Sequence, residues 1–585
     1  MNRKEMAALG ILIVTLLTWP IVAPKIEQQF FPVQPIPESV PSDAEVDPAK
    51  ETAPRVIREQ GAEMESPVAV VQTLTPESGV ETAPGSDLEQ DYPDDTVKLH
   101  NDVMDITLSS RGGSVTEILL KEYRETLDKE SPEVVLNFSP HGGLVYTGLP
   151  GIAADQNLKI KFGATDRAVH LSGVLHNGLS FDRSVELGEQ YVLRIVDTFQ
   201  NQTRDPVDLP EHALQLGSMK ENGDGSAPKG MYYLGIDALL HGGKGVEYYG
   251  KKILPKALKN SPDLQVEVDQ VEPVDWLAVK NRYFTQILRP NDDSKGIQLL
   301  GAKLSRDKPM VSDVAGRIMF PSYMLGPDQT FSRTSEYYVG PKKFSIIRES
   351  SRHQTEVMEF GFFSPICKFL LWVLNFIHDK MWPHNYGIAI MLLTVIIRTI
   401  FWPITHKGTE NMRKMQEIAP LMKEVKEKYK DKPDQQQKAM MELYKENKVN
   451  PVGGCLPMVI QIPIFFSLFV VLRSAIEMRF AGFLWIQDLS EPENLFKGLL
   501  PFGLGLNILP FLNAGSMFLQ QKLTPTTGDA NQQKIMQFMP LMMLVLFYNF
   551  ASGLVLYWTT NQVLMMTQQV MYYRRREAGE KAEKD

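Results

Sequence analysis

Cysteine is scarce in this chain, and the common signatures of nucleotide and catalytic sites are missing. The 585 residues include two cysteines, Cys367 and Cys455, and no C-x-x-C pair. A disulfide framework outside a membrane is therefore excluded. No G-x-x-x-x-G-K-[ST], G-x-S-x-G or H-E-x-x-H segment occurs either, which excludes a P-loop, a nucleophile elbow and a zincin motif. We expect no cofactor and no metal.

The two halves of the chain differ in composition. The formal net charge is -9, but most of the acidic residues lie in 1–350, whereas the long apolar runs lie in 351–585. A chain of this length usually folds as several domains. We therefore predict a multi-domain protein in which a polytopic α-helical membrane part is joined to a domain outside the membrane.

The N-terminal 96 residues contain two segments of different character. Residues 1–25 have two basic residues near their start, Arg3 and Lys4, followed by an apolar run. Cleaved signal peptides and uncleaved anchors share this pattern. No clean A-x-A site follows, which favours a transmembrane anchor with its basic end in the cytoplasm. Residues 26–96 are rich in proline and acidic side chains, which predicts a disordered tether.

Residues 97–345 carry a strand pattern. Short runs such as Val103–Leu108 and Tyr191–Val196 alternate apolar and polar residues, and clusters of Gly, Asn and Asp separate them. Period-2 alternation with frequent turns is typical of a β-sandwich. We predict one large all-β domain here.

Residues 346–384 are predicted to be a linker followed by an amphipathic helix. Within the apolar run 362–377, Lys368, Asn375 and the following Asp379 recur at helical spacing as one polar stripe. This pattern indicates a helix lying on the membrane surface. A short transmembrane helix is the competing interpretation.

The remaining apolar runs are long enough to cross a bilayer. Together with the anchor they predict six transmembrane helices, the last five at 385–404, 453–476, 499–519, 535–550 and 553–572. A charged helical hairpin at 407–447 separates the first two of these five. The hairpin and the tail 574–585 are rich in Lys and Arg, which predicts that both termini lie in the cytoplasm and that the β domain lies on the other side of the membrane.

Arg398 lies within the apolar run 385–404, where a guanidinium keeps its charge and needs partners. Thr394 precedes it by one helical turn, and the other predicted spans carry Gln461, Tyr557 and Asn561. Snorkelling of Arg398 to the cytoplasmic headgroups is one interpretation. The polar groups in the other spans favour a second one, in which these side chains share a hydrated cavity.

Several segments resemble the YidC membrane-protein insertase family of Gram-negative type. The strongest are Asn450–Phe465, Thr394–Arg398, Leu484–Leu489, Leu523–Thr526 and Pro540–Trp558, with weaker matches at Val274–Phe284 and Tyr337–Pro341. They occur in the order and spacing of the family. One departure is Trp558, where relatives commonly have tyrosine.

The resemblance implies a fold and an activity. It implies a five-helix insertase core at 385–573 and a periplasmic β-supersandwich domain without catalytic activity, so we expect no enzyme. The core would insert and fold integral proteins of the inner membrane through a hydrophilic groove. The groove residues are predicted to be Arg398, Thr394, Gln461, Tyr557 and Asn561. A face on which apolar client segments slide is predicted at Ile460, Ile464, Leu468 and Trp558.

The resemblance also implies partners. These are nascent membrane proteins, the Sec translocon with its accessory subunits, the ribosome and the phospholipid bilayer, without direct recognition of nucleic acid. Two other functions remain open at this point: a multipass solute transporter with a sugar-binding periplasmic sensor domain, and a membrane-anchored carbohydrate enzyme.

Overall fold

The structure is a computed structural model, and its described residues form two compact units. It describes residues 95–162, 166–220, 233–243, 245–250, 253–305, 308–350, 353–450, 456–496, 505–523 and 530–582. A β unit ends at Pro341, and a helical unit begins at Lys342. The predicted anchor 1–25 and all but the last two residues of the predicted tether 26–96 lie outside the described residues.

Short strands dominate the β unit, as the alternation of its sequence predicts. Their bounds are β1 Thr96–His100, β2 Met104–Ser109, β3 Ser114–Arg124, β4 Glu133–Asn137, β5 Val145–Thr147, β6 Lys159–Phe162, β7 Ala168–Val174, β8 Leu179–Leu187, β9 Val192–Asn201, β10 Val207–Leu209, β11 His212–Gln215, β12 Met219–Lys220, β13 Gly235–Leu240, β14 Val246–Tyr248, β15 Gln265–Gln270, β16 Val274–Lys280, β17 Phe284–Pro290, β18 Gly296–Ser305, β19 Lys308–Phe320, β20 Tyr323–Leu325 and β21 Thr330–Pro341. One helix, α1, spans Ile253–Asn260.

The strands pair antiparallel in four sheets. The largest has nine strands in the order β14-β13-β16-β17-β21-β9-β8-β7-β6. A six-stranded sheet has the order β15-β18-β19-β11-β5, with β12 also paired to β19. The strands β1 to β4 form a meander, and β10 pairs with β20. The prediction of an all-β domain is confirmed.

The two large sheets pack face to face. Strand β8 shows why, because every second residue from Leu179 to Leu187 is buried and so one face of its sheet must be covered. Strand β19 of the six-stranded sheet lies against β16 of the nine-stranded sheet. Gly316 allows the approach, since a Cβ at this position would lie 3.0 Å from Cδ2 of Leu277.

A buried ionic cluster joins the two sheets. Arg183 on β8 and Asp197 on β9 are directly opposite and form a bidentate pair at 2.6 and 2.9 Å. Tyr146, on β5 of the other sheet, donates a hydrogen bond to Asp197 at 2.8 Å. Arg333 contacts the hydroxyl of Tyr146 at 3.1 Å and Nε2 of His212 at 2.9 Å. Each buried cation is thus held by several partners, as burial of charge requires.

The helical unit is built from nine helices within its described residues. Their bounds are α2 Phe344–Ser350, α3 Ser364–Lys380, α4 Tyr386–Glu417, α5 Ala419–Lys428, α6 Pro433–Glu446, α7 Leu456–Ser474, α8 Ile508–Leu523, α9 Ala530–Phe547 and α10 Ser552–Ala582. Helix α4 packs against α3, α7 and α10, and α8 packs against α9 and α10. Among the described residues, two helical segments are long and apolar enough to cross a membrane, Gly361–Lys380 and Tyr386–Gly408.

Three helix boundaries differ from those predicted. Helix α4 continues beyond 404 to Glu417 and so forms the first part of the hairpin, and its Pro403 does not end it. Helix α10 likewise continues through the basic tail to Ala582. The start predicted at 499 is wrong, since Leu506 pairs with Leu495 in a β-bridge and α8 begins at Ile508. Apolar composition cannot reveal such a bridge, because both states bury the same side chains.

The polar stripe of α3 faces protein over much of its length. Lys368 is buried and pairs with Glu356 at 2.9 Å. Asn375 accepts a hydrogen bond from Tyr386 at 3.2 Å, whereas Asp379 is exposed. The exposed face instead carries the aromatic rings of Phe369, Trp372 and Phe376. Lys368 can be buried because the carboxylate of Glu356, from the segment before α3, neutralises its charge.

We predict that His212 makes the stability of the β unit depend on pH. Burial, with the positive charge of Arg333 nearby, lowers the pKa of His212 to about 3. Between this pKa and the usual value near 6.5, the unfolded chain binds a proton that the folded unit does not bind, so stability falls as the pH falls. The free energy of unfolding in urea should lose about 2 kcal/mol through His212 between pH 7.5 and pH 5.

In the variant His212→Gln, the free energy of unfolding should no longer contain the decrease that His212 causes between pH 7.5 and pH 5. His170→Gln is the matched control, since His170 is exposed and its replacement should leave the wild-type slope. Equal slopes for the wild type and His212→Gln would contradict the prediction.

Candidate functional site

Four of the five polar residues predicted to line a groove form two hydrogen-bonded pairs inside the helical unit. Helix α10 presents Tyr557 and Asn561 one turn apart, so both side chains lie on one face. Helix α4 brings Arg398 to this face and α7 brings Gln461. The structure therefore brings polar groups of three separate helices together in hydrogen-bonded pairs.

The guanidinium of Arg398 is held by a neutral amide. Its Nε donates to Oδ1 of Asn561 at 2.6 Å, and the arginine is only 8% exposed. Among the residues that the structure describes, no carboxylate forms an ion pair with Arg398. The side chain turns into the helix bundle to reach its partner, so the snorkelling interpretation is not needed to explain its burial. Its positive charge therefore has no negatively charged partner within the described part of the chain.

The second pair joins α7 to α10. The side-chain amide of Gln461 donates to the hydroxyl of Tyr557, which is fully buried. A buried hydroxyl without a partner would be costly in an apolar environment. This pair therefore fixes the orientation of Tyr557 one helical turn from Asn561.

Thr394 is buried on the same helix as Arg398 but does not bind it. Its hydroxyl donates to the carbonyl of Ile390 at 2.7 Å. A threonine in a helix can satisfy its hydroxyl in this way one turn back along its own backbone. Thr394 therefore adds a small polar side chain to this side of α4 without joining the hydrogen-bonded pairs.

Asn507 lies within the span predicted at 499–519, but its side chain does not join the polar pairs around Arg398. It lies just before α8, where it accepts from the amide of Asn494 at 2.7 Å and donates to the carbonyl of Tyr548 at 2.6 Å. Its side chain connects two loops. The sequence placed it inside a span because the start of α8 was predicted too early.

The residues predicted as a sliding face are largely turned inward. Leu468 is fully buried and Ile464 nearly so, while Ile460 is half-buried. All three lie one turn apart and therefore share the side of α7 that packs in the bundle. From residue 459 onward, where the side chains of α7 are described, the exposed large apolar ones are Ile462 and Phe466.

Trp558, the fourth predicted sliding residue, belongs to an aromatic cluster. Its ring lies 5.1 Å from that of Phe465 on α7 and 5.5 Å from that of Phe547 on α9. These distances are typical of favourable aromatic packing. Trp558 thus connects three helices.

Sequence reasoning missed a further polar contact between α8 and α10. The side-chain amide of Gln562 donates to the carbonyl oxygen of Gln520. Gln562 follows Asn561 directly and is also buried. Polar residues at helical spacing on α8, beginning with Asn513, were the signal that could have revealed this contact.

Two family models together match nearly all of the described chain. The model described as "YidC periplasmic domain" matches residues 96–373, and the model described as "60Kd inner membrane protein" matches residues 376–580. The membrane protein insertase YidC of Pelobacter propionicus is 31% identical over 534 residues, which cover 89% of this chain and 94% of that protein. The chain belongs to the YidC family of membrane protein insertases.

Other proteins of the YidC family are also similar. The YidC insertase of Syntrophobacter fumaroxidans is 40% identical over 299 residues, covering 51% of this chain and 53% of that protein. A crystal structure of an active YidC insertase with its first transmembrane domain resolved has 18% identity and a TM-score of 0.32, covering 83% of this chain and 95% of that chain. The YidC family consists of inner-membrane proteins and is not a class of enzymes.

We predict that Asn561→Leu destabilises the helical unit by leaving Arg398 without its partner. A hydrogen bond to a charged group usually contributes about 2 kcal/mol. Thermal unfolding of the purified protein in detergent should show this loss of stability. The double variant Arg398→Leu/Asn561→Leu should lose less stability than the two single variants lose together.

Gln437→Leu provides the control, since it also replaces an amide with leucine but at an exposed position of the hairpin. It should leave the unfolding temperature unchanged. Additive losses in the double variant would show that Arg398 and Asn561 do not stabilise each other.

Proposed function

We propose that the protein inserts membrane proteins by giving a polar client segment a temporary position beside Arg398. The observation that carries this proposal is the pairing of a buried guanidinium with the neutral amide of Asn561 at 2.6 Å. A buried arginine whose role is only structural is normally balanced by a carboxylate. The uncompensated charge can instead attract an acidic group of an entering chain.

The strength of this attraction depends on the exclusion of water. Two opposite unit charges 4 Å apart attract each other by about 1 kcal/mol in bulk water, but by about 4 kcal/mol at an effective dielectric constant of 20. Arg398 lies inside the bundle, and its surroundings include the buried hydroxyl of Tyr557. We infer that an acidic side chain of a client gains several times more there than at an exposed arginine.

The apolar part of the client then moves into lipid. We propose that it slides along the outer surface of α7, which exposes Ile462 and Phe466, while Trp558 supports this surface from the aromatic cluster behind it. Burial of apolar surface releases about 25 cal/mol per Å². The burial of a whole client helix in lipid therefore supplies the driving force, and no nucleotide is required.

We propose the following topology and partners from the same residues. Six transmembrane helices place both termini and the hairpin 407–447 in the cytoplasm, because Lys and Arg concentrate there. Nascent chains reach the groove from the ribosome past this hairpin, either directly or beside the Sec translocon and its accessory subunits. The exposed rings of α3 rest on the outer surface of the bilayer, where amphipathic aromatic side chains are favoured.

The β unit has a supporting role in this proposal. Its two packed sheets suit the supersandwich fold that the family resemblance implies, and its buried charges are used to hold the sheets together. The alternative of a solute transporter with a sensor domain is not supported, since the relatives that match most of the chain are membrane protein insertases. The membrane-anchored carbohydrate enzyme is not supported on the same ground.

We predict that Arg398→Ala slows the insertion of clients with acidic translocated tails. The variant loses an attraction of about 4 kcal/mol at most. Because water partly screens this attraction, we expect the insertion rate to fall by about tenfold. The rate is measured as protease protection of a small single-spanning client in liposomes that contain the purified protein.

The same client with a neutral tail is the matched control and should insert at nearly the wild-type rate. Arg398→Lys should restore the acidic client if charge alone is needed. Equal rates for both clients in Arg398→Ala and in the wild type would refute the role of the charge.

A second prediction concerns the β unit. Deletion of residues 100–330 should leave most of the insertion activity, because the proposed groove lies entirely in the helical unit. The comparison uses equal amounts of folded protein in the same liposome assay. Complete loss of insertion, with the helical unit still folded, would show that the β unit takes part in the reaction.

A further inference from the structure

We propose that a hairpin turn between α7 and α8 inserts its apolar tip, Leu484 and Trp485, into the phospholipid bilayer beside Trp382 of a neighbouring loop. The tip enters the interfacial zone of the leaflet next to the N-terminal end of α4, which is the outer leaflet in the proposed topology. Its partner is the boundary between phospholipid headgroups and acyl chains. This contact is separate from the groove and does not depend on the role proposed for Arg398.

The first observation is the backbone of the turn. Phe483 and Ile486 exchange two main-chain hydrogen bonds, at 2.8 and 2.9 Å, so Leu484 and Trp485 are the two central residues. Leu484 has a φ of +54°. Tight hairpin turns usually have Gly, Asn or Asp at such a position, because a bulky side chain is strained there. A strained residue that the surrounding structure maintains points to a function of that residue.

The second observation is that the tip is apolar and exposed. Leu484 is 76% exposed and Trp485 38%, whereas Ile486, directly after the tip, is only 3% exposed. In the neighbouring loop before α4, Trp382 is 87% exposed. Turns exposed to water normally carry small and polar residues. Large apolar side chains grouped on a surface mark a contact with an apolar partner.

The third observation is that both loops are joined at the start of α4. The side-chain amide of Asn385 donates to the carbonyl of Gly482 at 2.9 Å. The ring of Phe483 lies against Gly387, where a Cβ would lie only 2.2 Å from Cγ of this ring. The apolar tip and the loop that carries Trp382 therefore lie at the same end of α4.

The base of the hairpin is tied to two further helices. The indole nitrogen of Trp485 donates to the carboxylate of Glu493 at 3.0 Å, and this carboxylate also accepts from the main-chain amide of Leu509 in the first turn of α8. The main-chain amide of Gly553 in α10 donates to the carbonyl of Leu489 at 2.9 Å. The tip is therefore held in place before it meets a partner, which lowers the entropic cost of binding.

The position and chemistry of the tip favour lipid as the partner. The apolar segment Tyr386–Gly408 is long enough to cross a membrane, and Trp382 lies four residues before it, close to the membrane surface. Tryptophan is favoured at this level because its ring is apolar and its indole N–H is polar. Residues 480–496 contain no Lys or Arg. The contact is therefore apolar, and high salt should not weaken it.

The experiment measures the depth of the tip in phosphatidylcholine liposomes. The full chain, with Cys367→Ala and Cys455→Ala, receives Leu484→Cys and an environment-sensitive fluorophore at the new thiol. We expect its emission to shift to the blue and to be quenched by phospholipids with a spin label near the headgroup. We also expect iodide in the water to lose its ability to quench it, at low and at high salt.

The matched control is Gln487→Cys with the same fluorophore. Gln487 is an exposed polar residue of the same loop, three positions after Leu484. Its fluorophore should be quenched by iodide and not by the spin-labelled phospholipids.

Leu484→Gly separates contact with lipid from a role in folding. Glycine adopts a positive φ without strain, so the unfolding temperature in detergent should stay equal or rise. In liposomes, a fluorophore at Trp382→Cys should become more accessible to iodide when Leu484→Gly is added, because the tip no longer holds this loop in the bilayer. Gln487→Ala should leave the accessibility at Trp382→Cys unchanged.

Three outcomes would overturn the inference. In the first, iodide quenches the fluorophores at Leu484→Cys and Gln487→Cys equally, which places the tip in water. In the second, neither iodide nor the spin-labelled phospholipids reach Leu484→Cys, which shows that protein covers the tip. In the third, Leu484→Gly lowers the unfolding temperature and leaves the fluorophore at Trp382→Cys unchanged, as expected if Leu484 only stabilises the fold.

Discussion

The buried charge of Arg398 is the constraint on which the arrangement of the helical unit depends. A guanidinium keeps its proton under all physiological conditions, so the surrounding helices must offer it polar atoms. Helix α10 does this through Asn561, and the bond between Gln461 and Tyr557 fixes the next turn of the same helix. Helices α4, α7 and α10 are therefore held together around a polar centre by a small number of hydrogen bonds.

In the β unit, by contrast, two buried arginines are paired with carboxylates. Arg183 is paired with Asp197, and Arg333 with Asp292 at 2.8 and 2.9 Å. Arg183 and Asp197 belong to one sheet, and Tyr146 and His212 of the other sheet hydrogen-bond to this cluster. Charges paired in this way leave little electrostatic attraction for other groups. Arg398 differs, because its described partner is an amide and not a carboxylate. We propose that this difference leaves its charge available to a client.

Neutral amides also connect α8 to α10. The side-chain amide of Gln562 donates to Gln520 of α8, and the preceding residue, Asn561, accepts from Arg398 of α4. Consecutive residues of a helix point in different directions, so α10 contacts α4 and α8 through different faces.

Much of the architecture follows from local pattern. Alternation predicts the β unit because a strand exposes successive residues on opposite faces, and the spacing of Thr394 and Arg398 places them on one side of a helix whatever surrounds it. The convergence of Arg398 with Gln461, Tyr557 and Asn561 was also predictable, since hydrocarbon leaves buried polar groups no partner except one another or water.

Contacts between distant segments could not be predicted in this way. The β-bridge of Leu506 with Leu495 delays the start of α8, and Glu356 turns Lys368 inward. Leucine is apolar in a bridge and in a helix alike, and lysine is charged in either orientation, so composition does not distinguish the alternatives.

The sequence by itself thus determined the family, the two kinds of domain and the polar residues of the proposed groove. The tertiary structure alone decided which of these residues pair. It left Arg398 with an amide and Asn513 with no partner among the described residues, because pairing depends on distances between helices that no local pattern records.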